Sequence, residues 1–179
     1  MKYPWASRFL ISPVKFHITL GVLDLSRPGT MKVAIEGNTL GNYVTYILAV
    51  KRLGSVLNYA QPLKIAFQGI SQFGNCVLHV KVQDDTIIRD IANRIHSELK
   101  SKMLVTGKFA EFDPHVTLLK VRKNFQKKET VSLVNECSIG KEKDLYFGEE
   151  EFVEIGLNTM EEVDDDGYYE TITSVVFVQ

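Results

Sequence analysis

The tetrapeptide His-x-Thr-Leu occurs twice, as His17-Ile18-Thr19-Leu20 and as His115-Val116-Thr117-Leu118. Each copy sits in a short apolar run, and a strand sends alternate side chains to opposite faces. In Phe16-His17-Ile18-Thr19-Leu20, the Phe, Ile and Leu then share one face, and His17 and Thr19 the other. In the second copy Pro114, Val116 and Leu118 lie on one face, with His115 and Thr117 on the other. Two imidazoles and two hydroxyls presented alike from two strands read as one site built from two halves. With an odd spacing, each Thr would point into the core instead.

The chain has 179 residues, enough for one domain with a sizeable core. Its net charge of −1 supplies no global attraction to nucleic acid or to an anionic membrane. A nucleic-acid-like ligand must then be small, or be held by a local groove. Cys76 and Cys137 are the only cysteines, and their spacing suggests neither a disulfide framework nor a zinc site. A reducing compartment fits. With no targeting segment and no apolar run long enough for a membrane span, the expectation is a cytoplasmic or nuclear protein that does not engage membranes.

A first strand is expected from about Lys15 to Leu25, broken by Ser26-Arg27-Pro28-Gly29. Val44, Ile47, Leu48, Leu53 and Leu57 predict a helix over Asn42–Asn58, and Pro62 stops it. Leu63–Phe67 and Val77–Val82 have strand chemistry, with a bulge and a turn expected at Gln68-Gly69-Ile70 and Phe73-Gly74-Asn75. Asp84-Asp85-Thr86 caps a helix over Ile87–Lys102, whose stripe is Ile88, Ile91, Ile95 and Leu99. The second His strand follows. Arg122-Lys123 and Lys127-Lys128 form a basic cluster that reads as a solvated face. A short helix over Thr130–Cys137, a strand over Phe152–Thr159, an acidic loop from Glu161 to Asp166 and a last strand from Tyr168 to Val178 complete the chain.

The order after each His box is strand, helix, strand, strand. This predicts a single duplicated domain over 1–179, with pseudo-repeat halves of about 1–83 and 84–179. By the same logic the first His strand lacks the strand and helix that lead into the second, so the chain is expected to be shortened at its start, or its first lobe reduced. A missing strand leaves a sheet edge open.

Bond cleavage with an oxygen leaving group needs a base for the attacking oxygen and an acid for the departing one. Imidazoles titrate near neutrality and can divide these roles. His17 and His115 are the candidate acid–base pair. Thr19 and Thr117, two residues on and on the same face, are candidate hydrogen-bond donors to the charge that develops between them. The boxes bring no metal-ligand spacing with them, so no metal or other cofactor is expected. His79 alternates with Leu78, Val80 and Val82 and can share a groove face with Lys81, although a surface or hydrogen-bonded imidazole is the plainer reading. Phe73, Phe112 and Tyr169 are candidate base-stacking residues, with core packing the plainer role for each. His96 reads as solvated, and both cysteines as structural.

Two His-x-Thr boxes on a duplicated α+β scaffold resemble the 2H phosphoesterase superfamily, and within it the A-kinase anchoring branch. The likeness runs from Phe16 onward. It is carried by both boxes, by Phe67-Gln68-Gly69-Ile70 with Phe73-Gly74-Asn75, by Phe112-Asp113-Pro114, by Phe147-Gly148-Glu149-Glu150 and by Gly167-Tyr168-Tyr169. The resemblance implies two antiparallel sheets flanking a groove, with helices outside, and two His-x-Thr pairs facing each other across it. It also implies activity on 2′,5′-linked oligoadenylate, cyclic nucleotide phosphates or RNA ends, without metal. The competing reading is a module that binds AMP or CMP without turnover and serves an anchoring scaffold. A protein kinase A regulatory subunit is a partner within such a family, but residues 1–179 show no long amphipathic anchoring helix.

Overall fold

A computed structural model describes residues 4–22, 62–101, 112–121, 134–135 and 140–176. The expected helix at 42–58, the basic cluster at 122–128 and Cys137 lie outside the described residues. Six strands are described: β1 (Leu63–Phe73), β2 (Val77–Val82), β3 (His115–Lys120), β4 (Tyr146–Phe152), β5 (Glu154–Val163) and β6 (Tyr169–Val176). One α-helix, α1 (Thr86–Ser101), separates β2 from β3. The sheets are four-stranded, in the order β3-β2-β1-β4, and two-stranded, β5-β6. All the registers resolved are antiparallel, so the architecture is α+β.

The chain forms two compact units, each of three segments: 1–18, 64–85 and 114–150 in one, and 19–63, 86–113 and 151–179 in the other. The first unit holds the core of the four-stranded sheet. Ala6, Phe9, Leu78, Leu119, Val121 and Val134 are buried together, and Ile70 and Cys76 pack against them. Two irregularities decide which face each side chain takes. In β1, Phe67 pairs with Val82 but Ile70 with Val80, so an extra residue is carried there. In β3, Leu119 pairs with Leu78 but Thr117 with His79. A bulge shifts the alternation by one residue. Leu119, only 2% exposed, therefore takes the core position, and half-buried Leu118 is the bulged residue rather than the continuation of the Pro114–Val116 face.

The first His strand needs correction. In place of a strand from Lys15 to Leu25, Pro13–Lys15 forms a 3-10 turn. Lys15 N–H donates to Ser12 O at 2.8 Å and Phe16 N–H to Pro13 O at 3.0 Å. Pro13 has no N–H for a ladder, and these local bonds draw the following donors into a turn. Among the described residues of that stretch, only Ile18 makes a β-bridge, with Val116. Ahead of it, Pro4–Phe9 is a further 3-10 turn, and Leu10 bridges Leu119.

Elsewhere β1 outruns its expected end at Phe67, because the bulge lets the ladder continue through Gly69. β4 appears where no strand was expected; Lys64 of β1 forms an ion pair with its Glu149. β5 runs on into the expected acidic loop. In the second unit, α1 buries Ile88, Ile91, Ala92, Ile95 and Leu99, the stripe expected at helical spacing. Asn158 stitches the β5–β6 pair, its amide donating to Tyr169 O at 3.2 Å and to Thr171 Oγ1 at 2.8 Å.

Candidate functional site

The site is built on β2 and β3. Directly opposed residues of an antiparallel pair present their side chains on one face. Register places His79 opposite Thr117 and Lys81 opposite His115. These four side chains thus form a polar patch on the face away from Leu78, Val80 and Leu119. Ser71 of β1 is opposite His79, and Phe73, two residues on, shares its face.

Phe73 closes over this patch. Its ring stacks on His79 with centroids 4.1 Å apart and meets His115 edge-on at 4.7 Å. The two imidazoles are 5.0 Å apart. His79 is 1% exposed, which overturns the surface half of its surface-or-hydrogen-bonded reading: it is an inner wall of the cluster. The signal was the alternation of His79 and Lys81 with Leu78, Val80 and Val82. It could not show that Phe73 would come across to cover the ring.

The first box meets the same strand at Ile18. The Ile18–Val116 bridge is antiparallel, and that sense directs His17 toward Thr117. His17 Nδ1 donates to Lys15 O at 2.8 Å. A carbonyl only accepts, so the proton of the neutral ring resides on Nδ1 and the basic nitrogen is Nε2. Thr19 is exposed and belongs to the second unit.

The remaining candidates are placed elsewhere. The Phe112 carbonyl accepts a hydrogen bond from Arg89 of α1, whose guanidinium also lies 3.9 Å from Asp113. This ties down the lead-in to β3, and Pro114 beyond it is fully buried. Tyr169 packs edge-on against Tyr168, with ring centroids 5.6 Å apart. His96 is half-buried on α1. Cys76 is a free thiol against the core, its Sγ 3.7 Å from Phe73 O. Among the described residues no group of three or more His, Cys, Asp or Glu is arranged to hold a metal ion, and no helix is long and apolar enough to cross a membrane.

The fold is that of a phosphoesterase. The crystal structure of a phosphoesterase matches with a TM-score of 0.55 at 14% identity, over 98% of this chain and 88% of that one. The family model described as "AKAP7 2'5' RNA ligase-like domain" matches residues 2–177, and the chain belongs to that family of 2H phosphoesterases. Human A-kinase anchor protein 7 isoform gamma is 27% identical over 175 residues. That alignment takes in 95% of this chain but 48% of the human protein, so the chain spans about half the length of this relative.

Proposed function

We propose that this protein is a metal-independent phosphodiesterase of the 2H type, acting on 2′,5′-linked oligoadenylate or related nucleotide phosphodiesters. His17 and His115 act as the acid–base pair. One imidazole takes the proton of the attacking oxygen while the other protonates the departing one. Thr19 and Thr117 donate to the non-bridging oxygens, where negative charge builds in the transition state. The observation that supports this reading is the Ile18–Val116 bridge, a contact between the middle residues of the two His-x-Thr boxes. The proton on His17 Nδ1 adds to it, because the ring is then oriented with a defined basic nitrogen.

A second reading is a module that holds AMP or CMP without turnover; the human relative's name, an A-kinase anchor protein, supports placing such a module in an anchoring scaffold with a kinase regulatory subunit as partner of the larger assembly. A 2′,3′-cyclic phosphodiesterase or RNA-end-processing enzyme is a variant of the first reading with the same residues. Incubation with 2′,5′-oligoadenylate in EDTA separates the two. Release of AMP in the presence of the chelator is the expected result. Measurable AMP binding with no cleavage establishes the binding module instead.

A further inference from the structure

Lys81 shares the patch but has no part in the acid–base scheme. It is exposed, and among the described residues no carboxylate lies in ion-pair range of it. Its tail crosses β1 at Gly69. A Cβ on Gly69 would come within 2.8 Å of Lys81 Cε and 3.3 Å of its Nζ. The missing side chain at Gly69 thus leaves the space that the end of the Lys81 side chain occupies. The gap is built in: Gly69 lies in the bulge between Phe67 and Ile70, has φ +83°, and donates its N–H to Leu145 O at 2.8 Å.

The ammonium and the His115 ring therefore diverge. His115 turns toward Phe73, at one end of β1, and Lys81 toward Gly69, four residues earlier on that strand. At about 3.3 Å per residue the two groups are on the order of 10 Å apart. One phosphate does not span that distance, but two phosphates of one nucleotide strand do. An ammonium on a flexible stem binds phosphate as a point charge. In a chain of net charge −1, such attraction must be local.

We propose that Lys81 holds a phosphate other than the one being cleaved, so that the preferred substrate is an oligonucleotide with at least two phosphates rather than a cyclic mononucleotide phosphate. This rests on the phosphodiesterase reading above. The test compares a 2′,5′-linked adenosine dimer, with one phosphate, against a 5′-phosphorylated 2′,5′-linked trimer. Lys81→Gln should lower kcat/KM for the trimer about tenfold more than for the dimer and flatten its salt dependence by roughly 0.7 in the log–log slope. Lys81→Arg should restore most of the difference. An equal loss on both substrates, or no loss, overturns the proposal. If the wild-type protein cleaves neither, the phosphodiesterase reading has failed, and equilibrium binding of the trimer with and without its 5′-phosphate still decides the role of Lys81. A 5′-phosphate preference that Lys81→Gln leaves intact overturns it.

Discussion

The two sheets use the same irregularity to different ends. In the four-stranded sheet, the bulges at Gly69 and Leu118 sort side chains onto two faces. Leu78, Val80 and Leu119 go to the core, and His79, Lys81, His115 and Thr117 to the other side. In the β5–β6 pair the register also slips, on both sides of Asn158, but the break is filled by that residue's own amide. Each sheet also sets a glycine beside a polar side chain. A Cβ on Gly69 would meet Lys81 and Lys143 O, and a Cβ on Gly156 would meet Asn158 Oδ1 at 2.6 Å. A bulge thus gathers a candidate site where the side chains it re-aims converge with others. Where they bond only across their own hairpin, it is a fastening.

The sharpest way to break this contrast is to remove the imidazoles. His115→Ala and His17→Ala should each lower kcat by about 10³-fold, the range for a lost acid or base, with the urea midpoint little changed. Retained activity in His17→Ala means that the single bridge at Ile18 does not bring the first box into the working site. Retained activity in His115→Ala removes the chemistry from the four-stranded sheet altogether.

Much of this sheet was legible beforehand. Period-two alternation placed β2, and the His-x-Thr spacing placed β3 and its polar face. The apolar stripe placed α1 to within a residue at each end. What escaped depended on partners distant in sequence. β4 carries Glu149-Glu150-Glu151 and no apolar face of its own, and it is a strand because β1 offers it an edge. Leu118 and Leu119 exchanged roles because a bulge adds one to the alternation, which no local pattern announces. Of the candidate site, the local spacing of the second box gave His115 and Thr117 one face of β3, whereas the strand expected for His17 and Thr19 did not form. The burial of His79 did not, since it required Phe73 to cross from the neighbouring strand. Phe112 and Tyr169 were named as aromatics able to stack a base, a reading of residue type rather than of spacing.

The two glycines give the next test. Gly69→Ala must adopt φ +83° and set a methyl 2.7 Å from Lys143 O, a backbone atom. It should cost about 2 kcal/mol in urea denaturation. Gly156→Ala meets only the end of the Asn158 side chain, which can swing aside for the loss of its hydrogen bonds. It should cost about 1 kcal/mol. Equal costs imply that Asn158 is held as rigidly as backbone, and the contrast between site and fastening is then overstated.

The smallest effect belongs to the β5–β6 unit. The Tyr168 phenol is pushed above its ordinary value near 10.0, first by burial and then by the neighbouring Tyr169, Glu154 and Asp164. Burial and negative neighbours both disfavour the phenolate. A group whose value is raised on folding leaves stability intact below its unfolded value. Above that value the unfolded chain releases its proton while the folded one retains it, so stability falls as pH rises through the folded value. Tyr168→Phe removes this contribution, so the variant should lose less stability than wild type as pH rises from 10.0 through the raised folded value. The two should run parallel at neutral pH. Denaturation midpoints across that window give the comparison, and curves that stay parallel throughout place the phenol in a more solvated setting than its neighbours imply.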